Sequence, residues 1–482
     1  MNKLFLLLGL GLLSFSVACG SGSGNSSFGG GSSSNNKLSG QYAYSMTGID
    51  LTTGSFFREA GVFTADGNGN ITAGNDDFAE GTSVFTNTTT GTYTISSDGT
   101  GTGTFAFSDG SGLTAAFTVV NSSQVDMIEI DAGATGGGTA WLQTSSAFAA
   151  APSGNFVFRL HTLPNAIVGS VASVGAFSVA SGAVSGNEDV NDSGSISSTT
   201  ITGLFNAPST TSGRGSGSFT DSVVGTTPFF YYVVNSGTLL LFTQSPGTVG
   251  LGRAEAQSTT TFSNASLSGG YAFGSRGDTS GLGIDGVRVA GSLTANGSGT
   301  VTAGVYDAVQ DGIATPTGGT SFTGTYAVAS NGRAVLSLSS GTDIAWLVSP
   351  SRAFFLVDDP TVVEDGTADM QSSSSFSNSS FNGTYAFVND GFTNASTSYD
   401  RVGIMTPNGS GNMGLKYALN QTGSSSVVTL TGSYSVAANG RATGSVSNLS
   451  SNLVFYLVSS SQAYMLQADT GVEIDGTVTQ QQ

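Results

Sequence analysis

Residues 326–334 read YAVASNGRA and residues 434–442 read YSVAANGRA, nearly the same nine letters 108 positions apart. In the first, Tyr326, Val328, Ala334, Leu336 and Leu338 share one parity across a turn, which is the alternation of a half-buried strand pair. A two-residue loop at Asn331-Gly332 would pair Val328 with Val335 and put the apolar sets on opposite faces. A three-residue loop, Ser330-Asn331-Gly332, instead pairs Val328 with Ala334 and Tyr326 with Leu336. That is a type I turn followed by a left-handed residue, the place where glycine is wanted. The three-residue register is therefore expected, because a slip of one residue would expose every ring.

Working outward, the same device recurs at Ala438-Asn439-Gly440 and Ser97-Asp98-Gly99. A longer excursion, Asn206 to Gly213, keeps the parity of Phe205 and Phe219. Four segments open alike: LSGQYAY at 38, PSGNFVF at 152, LSGGYAF at 267 and FNGTYAF at 381, spaced by 114, 115 and 114 residues. They also close alike, in GGTAWLQ (137–143), GLGRAEAQ (250–257), DGTADMQ (365–371) and DGTVTQQ (475–481). One unit has been copied four times, at 38–143, 152–257, 267–371 and 381–482. A period near 114 lies far above the roughly 20–50 residues of solenoid repeats, so each copy is expected to close its own core, as separate beads.

Each copy holds about eight alternating runs joined by short turns, which predicts an all-β antiparallel meander. Closure into a small barrel removes exposed edges and lets side chains fill the interior. A two-sheet sandwich is the alternative. The meander is similar in outline to lipocalin and avidin barrels but carries no diagnostic motif of either.

The chain has 482 residues, with 31 acidic and 13 basic side chains and a net charge of −18. Such a surface repels phosphate backbones and anionic headgroups, which opposes nucleic-acid binding. Only 9% of residues are charged, against about 25% in an average soluble domain.

At the amino end Lys3 precedes an apolar run, Leu4 to Leu13, too short to cross about 30 Å of hydrocarbon and therefore read as a secretion signal. Ser16-Val17-Ala18-Cys19 then resembles the lipobox of bacterial lipoproteins, and Cys19 is the sole cysteine of the chain. The resemblance implies removal of residues 1–18, acylation of Cys19 and a membrane anchor. Gly20, where an Asp would imply inner-membrane retention, implies the outer membrane. Residues 19–37 then comprise the acylated cysteine and a Gly/Ser tether, GSGSGNSSFGGGSSSNN at 20–36, spanning about 20–25 Å as a flexible coil.

Candidate chemistry is thin. His161 is the only histidine and reads as an exposed loop residue without an organised nucleophile. One His and one acylated Cys leave no zinc ligand set. DVNDSGSI at 189–196 resembles the start of a calcium loop, with Asp189, Asn191 and Ser193 in register, but position twelve is Thr200 rather than a bidentate Glu. A polar hairpin tip explains it with fewer assumptions. Acid groups recur after the second hairpin, at Asp76 and Asp77, at Glu188, Asp189 and Asp192, and at Asp307 and Asp311, and a further group is Asp358-Asp359 with Glu364-Asp365. Paired carboxylates can hydrolyse glycosides, yet no cluster keeps the same acids in all copies. The stripes Tyr42/Tyr44, Phe156/Phe158, Tyr271/Phe273 and Tyr385/Phe387 read as core. No catalytic residue or cofactor is expected.

The expectation is a non-enzymatic cell-envelope lipoprotein, a stalk or adhesive or matrix-contacting surface module, whose partner would be a surface polymer, glycan or other envelope component. The alternative is a ligand- or glycan-binding lipoprotein with a pocket in each barrel. A carboxylate hydrolase ranks last.

Overall fold

A computed structural model describes Phe28 and residues 32–81, 83–164, 170–244, 248–258, 261–279, 285–315, 317–393, 397–447 and 452–482. The expected signal, Cys19 and most of the tether lie outside the described residues. Among the described residues no helix is long and apolar enough to cross a membrane.

The hairpin register holds in detail. Tyr326 pairs with Leu336 and Val328 with Ala334, and Val436 pairs with Ala442 in the fourth copy. Gly332 sits at φ +93° and Gly440 at +85°, a region that costs other L residues steric strain. Each copy is an antiparallel meander whose last strand returns to pair with its first, giving four closed eight-stranded barrels. Barrel 1 runs from Ser39 to Leu142, barrel 2 from Gly154 to Ala256, barrel 3 from Ser268 to Met370 and barrel 4 from Tyr385 to Gln480. Barrel 3 carries one extra strand, Ile313–Ala314, hung on the edge of Thr300–Gln310.

One face of each strand fills the barrel. In barrel 2 the rings of Phe158, Phe177, Phe205, Phe219, Phe229 and Tyr231 pack with centroids 4.6–6.1 Å apart. One end of three barrels is stoppered by a 3-10 turn written N-x-x-[LF]: Asn35–Lys37, Asn264–Ser266 and Asn378–Ser380. Leu38, Leu267 and Phe381 follow these turns and are buried; their carbonyls accept the hydroxyls of Tyr93, Tyr326 and Tyr434 at 2.6 Å each. The end of the expected tether is thus part of barrel 1, and Phe28 packs against Ala116 and Val402.

The barrels are not separate beads. Outward-facing Ala60 and Val62 of barrel 1 meet Tyr232, Leu240 and Phe242 of barrel 2. Val157 and Val174 of barrel 2 meet Trp346, Phe354 and Leu356 of barrel 3. Ala272 and Ala290 of barrel 3 meet Tyr456 and Leu466 of barrel 4. Val388, Val402 and Ala418 of barrel 4 then meet Ala116 and Ile128 of barrel 1, closing a ring. Apolar side chains on the outer face have covered partners instead of water, and at roughly 25 cal/mol per Å² their burial adds to the stability of every joint.

Candidate functional site: the junctions and the hollow third barrel

The recurring acids are explained by alternation. Asp76 points into barrel 1, where Tyr44 bonds to Asp76 and to Glu59 at 2.9 Å each, whereas Asp77 points out toward barrel 2. Arg214 of barrel 2 grips Asp77 through Nε (2.6 Å) and Nη2 (2.8 Å), and the Tyr232 hydroxyl donates to the same carboxylate. Arg333 of barrel 3 grips Asp189 of barrel 2 at 2.8 and 2.7 Å, joined by Trp346 Nε1 at 2.8 Å. Arg441 of barrel 4 grips Asp307 of barrel 3 at 2.7 and 2.8 Å, joined by the Tyr456 hydroxyl at 2.6 Å. Asp77, Asp189 and Asp307 oppose Ala60, Val174 and Ala290, so they occupy one repeat position. A planar guanidinium matches a carboxylate bidentately, and an aromatic donor satisfies a remaining lone pair.

The residue before each arginine is the left-handed glycine, and the Gln that ends the preceding copy reaches that turn. Gln143 donates to Ser212 O and Val233 O, Gln257 to Asn331 O and Leu347 O, and Gln371 to Asn439 O and Leu457 O. A Cβ on Gly332 would stand 2.9 Å from Gln257 Nε2. The letters NGR therefore carry three duties: turn, close approach and grip.

At the fourth junction Gln481 donates to Asp98 O and Val119 O, the same bonds again. The charges are reversed. Thr100 stands where the arginines stand, Ala418 where the acids stand, and Lys416 of barrel 4 reaches Asp98 of barrel 1 at 2.8 Å.

His161 is not in an exposed loop. It lies in the first strand of barrel 2, Gly154–Pro164, and faces barrel 3, with Nδ1 2.7 Å from Asp365 and Nε2 3.3 Å from Asp278. Burial alone would lower its pKa, but the two carboxylates raise it to about 9, so the ring is an imidazolium at neutral pH. Arg276 continues this layer onto Asp390 and Asp475 of barrel 4.

The calcium-like residues do not converge. Asp189 is held by Arg333 and Trp346, Asn191 donates to Val362 O at 2.8 Å, and Ser193 is a turn residue at φ +53° bonded to Asp192. The tip instead seats on barrel 3: a Cβ on Gly194 would stand 2.2 Å from Pro360 O. Among the described residues no group of three or more His, Cys, Asp or Glu side chains is placed to hold a metal ion. Glu364 and Asp365 likewise point opposite ways, into barrel 3 and toward barrel 2.

Barrel 3 encloses a cavity of ≈ 240 Å³. Phe273, Phe322, Phe355 and Leu336 line it, and Asp343 and Glu364 stand at the end away from the Leu267 stopper. Burial pushes the carboxyls of Asp343 and Glu364 up to about 7 each, Asp358 adding to the first, while the Ser275 hydroxyl bonded to Glu364 opposes the second. The alternative reading of the sequence places a pocket in every barrel, and Phe273 and Glu364, both named there, do line this one. What it does not single out is barrel 3, whose copy has fewer rings than copy two, or Asp343.

No family model matches the chain, and no curated protein matches it. Among solved structures it is similar to transferrin-binding protein B. A double mutant of that vaccine antigen from Haemophilus parasuis Hp5 matches at 7% identity over 68% of this chain and 75% of that one, TM-score 0.19. A single mutant matches at 9% over 74% and 83%, TM-score 0.19. Intact Ap-TbpB, with N and C lobes, matches at 8% over 74% and 83%, TM-score 0.18. Likeness at that level assigns neither family nor activity.

Proposed function

We propose that this is a non-enzymatic envelope lipoprotein, moored through Cys19, whose four barrels form one rigid surface module. The observation that supports it is the commitment of the polar residues. The sole histidine, the outward member of the recurrent acids (Asp77, Asp189, Asp307 and Asp365) and most arginines hold barrel to barrel, as expected of a scaffold that must keep its shape. Labelling cells with a palmitate analogue tests the anchor: the wild-type chain takes the label and sediments with membranes, and Cys19→Ser does neither. Protease shaving of intact cells tests exposure, and complete protection would remove the surface part of the reading.

A second reading, a ligand-binding lipoprotein, is favoured by the cavity of barrel 3. It does not extend to a pocket in every barrel, because in barrel 2 the corresponding space is filled by six rings in mutual contact.

A further inference from the structure

The interiors of the barrels differ in how they settle buried charge. Barrel 1 sets two acids, Glu59 and Asp76, against one another and against the Tyr44 hydroxyl. Barrel 4 places its own cation inside. Arg401 lies 5.0 Å from the ring centroid of Tyr399 and 5.8 Å from that of Tyr417, and bonds Asn389 at 3.0 Å and Gln467 at 2.9 Å. A guanidinium over aromatic faces is attracted by their quadrupoles.

At the equivalent position barrel 3 has Val289, which stands four residues before Leu293, as Arg401 stands four before Met405; Leu293 pairs with Tyr271 and Met405 with Tyr385. Tyr306 takes the place of Tyr417. The aromatic wall remains, the cation is gone, and the space is open. At the same level stand Glu364, 6% exposed and bonded on one oxygen by Ser275, and Asp343, whose carboxylate accepts no hydrogen bond from the described residues. Copy three contains four arginines and no lysine or histidine. Arg333 holds Asp189, Arg352 holds Glu255 and Asp369, and Arg276 and Arg288 hold Asp475, all outside the barrel. The cavity thus combines apolar walls with two acids that no internal cation answers, the pattern of a pocket with a few polar groups fixing orientation.

We infer that barrel 3 binds a small cationic amphiphile, a short apolar chain or ring ending in an amine, with its tail among Phe273, Phe322 and Phe355 and its ammonium at Glu364 and Asp343. At ≈ 240 Å³ the cavity is larger than the roughly 150 Å³ apolar cavity known to hold benzene, which suits a ligand near the size of octylamine. This inference rests on the ligand-binding reading and specifies its ligand; the scaffold reading stands without it.

Titration of the purified full-length protein with octylamine, octanol and octanoate, followed by calorimetry and native mass spectrometry, tests it. The expected result is one octylamine per chain, with octanol and octanoate at least tenfold weaker. Glu364→Gln with Asp343→Asn is expected to weaken octylamine at least tenfold while leaving octanol unchanged. Val289→Arg, which copies barrel 4, is expected to abolish octylamine binding. Equal binding of the three probes, or octylamine binding undiminished in both variants, would overturn the cationic inference while keeping a ligand-binding barrel. If none of the probes binds, both the inference and the ligand-binding reading fall.

Discussion

Three junctions of the ring join neighbours in sequence, and the fourth joins the last barrel to the first. All four share an apolar face and a terminal Gln bonded to two carbonyls. They differ in charge chemistry. The first three bury an aspartate under a bidentate arginine and an aromatic donor; the fourth sets the single lysine of barrel 4 on a turn aspartate that is one-third exposed. Geometry is therefore what the copies must preserve, and the charged grip is free to change provided its two ends remain complementary. The swap also makes the closing edges of barrels 1 and 4 unlike those of the other joints, which discourages a barrel from docking on the wrong neighbour.

The largest expected effect breaks an ordinary junction. Arg333→Ala leaves Asp189, fully buried, without its counter-charge and should cost about 3–5 kcal/mol. It would be read as a fall in the urea midpoint, with hydrogen exchange rising first in Gly154–Pro164 and Val171–Ala180 of barrel 2 and in Gly341–Ser349 and Arg352–Val357 of barrel 3. A second, smaller effect separates the junctions by pH. His161 has its pKa raised in the folded protein, so its contribution is complete below about 6.5, its unfolded value, and is lost as pH rises through about 9. Exchange protection at the junction of barrels 2 and 3 should fall over that window, and His161→Gln should flatten the dependence there without altering the closing junction. Third, Gln481→Ala and Gln371→Ala each remove two bonds to carbonyls and should each cost about 1–2 kcal/mol. Near-equal losses would support one geometry for all four joints. The smallest effect is Lys416→Ala, about 0.5–1 kcal/mol for a partly exposed pair, with Lys416→Asp restored by Asp98→Lys. No rescue would mean the pair is incidental.

Barrel interiors carry a further pH signature. Burial pushes the Glu129 and Glu188 carboxyls up to about 8 each, with Asp131 adding to the first and Asp221 to the second. Acids raised on folding stabilise below their unfolded pKa and lose that contribution as pH climbs through the folded one. Thermal stability should therefore decline from about pH 5 to pH 8.5.

Copy number, strand count and the Tyr326–Leu336 register were legible because alternation and a glycine turn are local signals. The joints were not, because the charged partners lie 134–144 residues apart in three of them and 318 in the fourth, and the outward parity of a strand is usually read as facing water. Two signals were nonetheless present. Outward positions such as Ala60, Val174, Ala290 and Val402 are small and apolar where a solvated barrel would be polar. A glutamine also closes every copy, and an arginine follows the turn glycine in three of them. His161 was misread for the same reason: its two carboxylates come from another copy, 117 and 204 residues away. The sequence allowed a pocket in every barrel but could not show that barrel 3 has one where barrel 2 is filled, because a void is a relation among walls, not a residue type.

Closure at Gln481 has a temporal consequence. A polypeptide is made from its amino end, so the flank of barrel 1 around Ala116 and Ile128 stays bare until barrel 4 exists to cover it. The bonds of Gln481 that fasten that cover follow the last strand of barrel 4, Val472–Gln480, so this junction is the last of the four that can close as the chain emerges.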